Sequence, residues 1–155
     1  MDPKEVSKTL NRAYFWQLIP AAVLLVLAWS LKYLFHLTTA GNTAGLSVTI
    51  VVTTVAGVIG IALPVFYRSY FVYKVKDKKQ ISNDAFLTFE RTLITLALMP
   101  PYFLVVAMLM NMNQTALILI TLFSIYGAYY YYPGEKKILF EMKIFRIKPV
   151  KRPKQ

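Results

Sequence analysis

The side chains that usually catalyse reactions or bind metals are scarce in this 155-residue chain. It has no cysteine and a single histidine, His36, so it lacks the thiolates and paired imidazoles of zinc, haem and iron–sulfur sites. Its seven acidic residues form no paired motif, and HExxH, P-loop and GxGxxG sequences are absent. We therefore predict no catalytic residue, no metal site and no bound cofactor, and we favour a role other than that of an enzyme.

Glu90, which is followed by Arg91, is the acid best placed for chemistry, because an uncharged run begins directly after the pair at Thr92. Ionisable groups near hydrocarbon are costly, and those that persist often bind protons, ions or lipid headgroups. We favour a structural role for Glu90, either in an interfacial ion pair with Arg68 or Arg91 or as an acid near a helix N-terminus, where the helix dipole stabilises it. An ion-pair role predicts that Glu90→Gln keeps its activity, whereas a proton or headgroup site predicts that the activity is lost.

Long uncharged runs indicate the fold class. Charged residues make up 16% of the chain and hydrophobic residues 57%, whereas a soluble domain has about 25% charged residues. No charge occurs in 13–31, 33–67 or 92–134, and about 20 apolar helical residues cross the hydrocarbon core. Polar turns at 38–43 and 111–114 divide the second and third runs. We predict a single all-α integral membrane domain over residues 1–155, built as two helical hairpins. Its four transmembrane helices lie at about 14–35, 46–71, 86–110 and 115–132, and a basic tail follows at 133–155.

The basic residues predict the orientation of these helices. Every Lys and Arg except Lys32 lies on one side of the four predicted crossings, and positive charge stays on the cytoplasmic side. Both termini are therefore expected in the cytoplasm, in the cell inner membrane or an organelle membrane. We attribute the net charge of +11 to this topology and to anionic lipid headgroups. An acidic cytoplasmic protein is an alternative partner, and nucleic acid is not expected.

Small residues and prolines predict how the helices pack. Ala56, Gly57 and Gly60 allow two helix backbones to approach closely, either within the chain or in self-association. Pro100 and Pro101 are expected to break the third helix. Broken helices in the middle of the membrane can form transport sites, so this pair is a candidate functional feature. Kinks are also expected at Pro20 and Pro64.

Tyrosines gather at the predicted cytoplasmic helix ends, among them Tyr67, Tyr70 and Tyr130. An aromatic belt at the headgroup level is the usual explanation, and a pocket for a quinone or a lipid headgroup is the alternative. In the tail, Ile138, Phe140, Met142 and Ile144 alternate with other residues, which favours a strand. Residues 73–76 and 145–148 share an aromatic–basic–β-branched–basic pattern, and we predict both as extended segments.

These observations favour a small accessory, assembly or scaffold subunit of a membrane complex, associated with other membrane subunits or with itself. A small transporter or channel that uses the break at Pro100 and Pro101 is the first alternative. A membrane enzyme that binds lipid or quinone at the tyrosine-rich end is the second.

Overall fold

The computed structural model describes residues 2–34, 44–76 and 81–147. Helices make up 86% of these residues, which contain no strand, so the all-helical prediction is confirmed. The helices are α1 (Pro3–Leu34), α2 (Leu46–Gly57), a π-helical turn (Val58–Ala62), α3 (Leu63–Val75), α4 (Asn83–Ala97), α5 (Pro100–Leu109), α6 (Gln114–Tyr130) and α7 (Glu135–Ile144). His36, the predicted turn at 38–43 and the tail beyond residue 147 lie outside the described residues.

Within the described residues, three helical stretches are long and apolar enough to cross a membrane: Pro3–Leu34, Leu46–Val75 and Asn83–Leu109. A fourth crossing results if α6 and α7 are taken together, although they are bent by 76°. α1 begins at Pro3, well before the predicted start at residue 14. Helices of this length and composition are compatible with a membrane location.

Two consecutive prolines separate α4 from α5. Pro100 and Pro101 have no N–H group, so they cannot donate to the carbonyls four residues earlier, and the helix stops. The chain turns at Leu98 and Met99, whose N–H groups donate to the carbonyls of Ile94 at 3.0 Å and Leu96 at 3.3 Å. Both prolines then occupy the first turn of α5, where their missing donors cost nothing.

A π-helical turn interrupts the α2–α3 helix just before Pro64. The Leu63 N–H donates to the Val58 carbonyl, five residues earlier, instead of to the carbonyl four residues earlier. Pro64 then lies at the start of α3. Pro20, by contrast, lies inside α1, which continues through it as one helix.

Small residues bring the helix backbones together near these irregularities. A Cβ atom added to Gly60 would collide with the Pro100 ring, and one added to Gly127 would collide with the Ala97 carbonyl oxygen. Gly57 lies against the Phe123 ring, 3.1 Å from an ideal Cβ position. The structure therefore places Gly57 and Gly60 at contacts within the chain.

α7 is a helix, so the predicted strand is wrong. Ile138, Met142 and Phe145 are buried, whereas Phe140 and Ile144, which alternation would place beside them, are exposed. The buried positions follow the three- and four-residue steps of a helix. The sequence obscured this pattern because Glu141 lies on the buried face.

The predicted extended segments at 73–76 and 145–148 are also wrong where the structure describes them. Tyr73 to Val75 form the last residues of α3. Phe145 is the C-cap of α7, and Arg146 then turns the chain with a φ of 55°. Lys148 lies outside the described residues.

A hydrophobic core joins the first half of α1, the whole of α4, the ends of α3 and α6, and α7. We call the end of the molecule that carries α7 and the C-terminal end of α3 the basic end. Hydrogen bonds between helices add to the packing. The Ser7 hydroxyl donates to the Pro133 carbonyl at 2.8 Å, and the Tyr14 hydroxyl donates to the Ala128 carbonyl at 2.9 Å. α1 is thereby tied to the α6–α7 connection.

Candidate functional site

Four ionisable side chains meet inside the basic end, and we call them the charge cluster. Arg68 comes from α3, Glu90 from α4, and Lys137 and Glu141 from α7. The two carboxylates and two cations balance in formal charge. Because unpaired buried charges are costly, this balance explains how three elements can bury charged residues together.

Arg68 and Glu141 form the ion pair of the cluster. The Arg68 Nη2 atom lies 2.8 Å from the Glu141 Oε1 atom, and the two side chains are 32% and 4% exposed. The second carboxylate oxygen of Glu141, Oε2, is buried without a hydrogen-bond partner. Glu141 therefore depends on Arg68 for compensation of its charge, whereas Arg68 retains access to solvent.

Glu90 lies on the buried face of α4, one helical turn after Phe86 and beside Phe89. Its side chain is 4% exposed. Within the described ranges, no hydrogen bond or ion pair joins it to another residue. The sequence suggested an ion pair of Glu90 with Arg68 or Arg91. In the structure Arg68 pairs with Glu141 instead, and Arg91 is exposed.

Lys137 borders the cluster from the first turn of α7. Its ammonium donates to the Tyr130 carbonyl at 2.9 Å and lies 5.0 Å from the centre of the Tyr131 ring. Burial lowers the pKa of Lys137, and the carboxylates of Glu90 and Glu141 oppose this shift. The lysine therefore contributes positive charge close to both carboxylates.

Aromatic rings cover the cluster on one side. Phe71 stacks on Phe89 with ring centres 4.0 Å apart, Tyr67 stacks on the same ring at 5.6 Å, and Phe145 meets it edge-on at 5.5 Å. These contacts join α3 and α4 to the C-terminal cap of α7. They place a group of packed rings next to Arg68 and Glu90, which follow Tyr67 and Phe89 in the chain.

The predicted tyrosines have different surroundings. Tyr67 belongs to the aromatic packing around Phe89, whereas Tyr70 is 61% exposed. Tyr130 stacks on Tyr126 and lies beside Lys137. The structure thus does not gather Tyr67, Tyr70 and Tyr130 around one ligand.

The remaining predicted residues lie away from the charge cluster. Ala56 and Gly60 are buried, and Pro100 packs against Gly60. Pro100 and Pro101 are buried at the start of α5. In the three described ranges, no group of three or more metal-ligating side chains occurs.

Sequence reasoning identified Glu90 and Arg68 but missed Glu141 and Lys137. A signal for Glu141 was present: Ile138, Glu141, Met142 and Phe145 have helical spacing. The pattern is hidden if an acid is assumed to face solvent. Nothing in the local sequence indicates that Arg68, 73 residues earlier, is the partner of Glu141.

No protein-family model, curated protein or solved structure matches this chain. The function must therefore be argued from the arrangement itself. Chemically, the cluster can do two things. It can fix α7 to the bundle, and it contains a buried carboxylate, that of Glu90, which is free to bind a proton or a cation.

Proposed function

We propose that this chain is a small accessory or scaffold subunit of a membrane protein complex, and that it acts without catalysis. In this proposal it crosses the cell inner membrane four times as two helical hairpins, the fourth crossing is α6 without α7, and α7 and both termini lie in the cytoplasm. The observation that carries the proposal is the fixed position of α7 at the basic end.

The fixed position of α7 has several independent causes. Its buried face packs Ile138, Met142 and Phe145 into the core. The ion pair of Glu141 with Arg68 adds a bond of defined direction. The hydrogen bond from Ser7 to Pro133 holds the chain just before the helix begins. α7 is therefore held to the bundle by its inner face, which leaves its outer face at the surface.

The outer face of α7 combines positive charge with apolar side chains. Lys136 and Lys143 are exposed, and Phe140, which lies between them on the same face, is 61% exposed. Exposed aromatic residues beside cations are typical of protein interfaces, where a ring fills a pocket and the charges select the partner. The face is therefore complementary to a partner protein whose surface is acidic and has an apolar recess for Phe140.

A site-specific crosslink would test this proposal. A photoreactive amino acid at position 140 should give a discrete adduct with another protein in intact membranes. Position 125 is the matched control, because Ile125 is 60% exposed on α6. Charge reversal by K136E and K143E together should abolish the adduct from position 140, because it repels an acidic partner. Adducts to lipid alone, or an adduct unaffected by charge reversal, would refute the proposed docking face.

A second candidate function is proton-linked transport, and the buried carboxylate of Glu90 is the observation that favours it. A carboxylate without a hydrogen-bond partner inside a membrane helix can serve as a proton site. In this case the purified protein would carry protons into liposomes and lower the lumenal pH, which an enclosed pH-sensitive dye reports. Glu90→Gln would abolish this flux. Glu135→Gln, at an exposed acid of α7, is the control. The scaffold proposal predicts no flux for the wild type or for either variant.

A further inference from the structure

The surface of α1 has a hollow near the basic end. Its volume is about 430 Å³, and it is lined by Arg12, Phe15, Trp16, Ile19 and Pro20. This volume lies within the range of ligand sites, which is about 300–1,000 Å³. All five residues are exposed, so the hollow opens to the surroundings of the helix.

Polarity changes along the side of α1 that bears the hollow. Lys8 and Arg12 are exposed one turn apart, and Trp16 follows one turn later, with 71% of its side chain exposed. Beyond the hollow the exposed side chains are apolar, as at Val23. The order is two cations, then an aromatic residue of the kind found at membrane interfaces, then aliphatic residues. A phospholipid has the same order, from its phosphate through the glycerol region to its acyl chains.

We propose that this hollow binds one phospholipid with an anionic headgroup. Arg12 and Lys8 contact the headgroup phosphate, since an arginine binds phosphate through two parallel hydrogen bonds. Phe15, Trp16 and Ile19 contact the upper part of an acyl chain. The site requires α1 to be inserted in a membrane, but it does not depend on the docking face of α7.

The opposite end of α1 lacks this combination of features. Trp29 is also exposed there, but the nearby Lys32 is only partly exposed and its ammonium donates to the Asn111 side chain at 3.0 Å. The two tryptophans of the chain thus lie on one helix. Trp16 is beside exposed cations, whereas Trp29 is beside a lysine that is already hydrogen-bonded within the chain. They provide an internal comparison for lipid selectivity.

Tryptophan quenching by brominated lipids would test the site. Trp29→Phe leaves Trp16 as the only tryptophan, and Trp16→Phe leaves Trp29. Each variant is reconstituted in phosphatidylcholine vesicles that contain the same minor fraction of brominated phosphatidylglycerol or brominated phosphatidylcholine. Trp16 should be quenched more strongly by the anionic lipid, whereas Trp29 should be quenched equally by both.

Removal of one cation should reduce the selectivity measured at Trp16. Arg12→Gln, in the Trp29→Phe background, should lower the relative affinity for the anionic lipid about fivefold, which corresponds to roughly 1 kcal/mol per basic residue near such a surface. Lys74→Gln, which neutralises an exposed cation on α3, should leave it unchanged. Equal quenching by both lipids at Trp16, or a preference that survives Arg12→Gln, would overturn the proposal. Protection of Trp16 from both lipids would also overturn it, because another copy of the chain, and not a lipid, would then cover the hollow.

Discussion

Replacement of Arg68 by methionine tests whether the ion pair holds α7. Glu141 would keep its charge at 4% exposure and lose the atom that compensates it at 2.8 Å. Removal of one member of a buried pair costs about 3–5 kcal/mol, because the other charge is left uncompensated. Arg68 is 32% exposed, and Lys137 is close by, so we expect the lower end of this range for Arg68→Met.

The reverse change should cost less, because Arg68 can turn to solvent. Glu141→Gln leaves no buried charge without a partner, and a loss of about 1 kcal/mol is expected for the hydrogen bond. The double variant R68M/E141M removes both charges and should be close to the wild type, since apolar groups of similar size can replace a buried pair at little cost. The unfolding free energies would be measured by circular dichroism in mixed micelles with increasing dodecyl sulfate.

Arg91→Met is the control for these variants, because it removes an exposed arginine from the neighbouring helix. Its effect should stay within about 0.5 kcal/mol. The reasoning is refuted if Arg68→Met and Glu141→Gln cost the same free energy. It is also refuted if the loss in the double variant equals the sum of the two single losses.

Three further predictions follow from other parts of the molecule. Gly127→Ala should lower the unfolding free energy by about 1–3 kcal/mol, because its Cβ would collide with the Ala97 carbonyl oxygen. Gly134→Ala is the control, because its Cβ comes no closer than 3.8 Å to the Tyr132 ring. Equal stabilities of the two variants would contradict the close approach at Gly127. Cysteine at Asn42 or Asn113 should react with an impermeant thiol reagent added outside cells, and cysteine at Lys78 or Lys151 should not, because the proposed topology puts every basic residue except Lys32 on the cytoplasmic side. The opposite labelling would exclude this topology. Glu90→Gln should keep the protein crosslink from position 140 while Arg68→Met weakens it, because Arg68, and not Glu90, forms an ion pair with α7. Loss of the crosslink in Glu90→Gln would assign the docking function to Glu90.

The helical fold could be predicted because the signals for it are local. Uncharged runs and consecutive prolines act through the hydrophobic effect and the missing N–H group, and neither depends on a distant partner. The interruption at Pro100 and Pro101 accordingly appears in the structure. The π-helical turn before Pro64 was not predicted, because its exact form depends on packing as well as on the proline.

α7 and the charge cluster could not be predicted in the same way. The strand was predicted because Ile138, Phe140, Met142 and Ile144 alternate, whereas a helical projection of this segment does not separate apolar from charged residues. The buried charge of Glu141 is compensated by Arg68, which reaches it from α3. Such a contact between distant parts of a chain leaves no trace in the local sequence. Glu90 could be selected as unusual, but its lack of a hydrogen-bond partner required the three-dimensional arrangement.

The contact between Gly60 and Pro100 has a mechanical consequence for the whole molecule. A helix resists bending through its regular backbone hydrogen bonds, and proline and π-helical turns weaken that resistance. Here the π-helical turn of one helix and the proline break of the next touch each other, and Gly127 brings a third helix against Ala97 at the end of α4. The compliant points of neighbouring helices thus lie in one layer. We therefore expect bending of the α2–α3 and α4–α5 stretches to concentrate in this layer, whereas α1, which continues as one helix and contacts α4, α5 and α7, bridges its two sides.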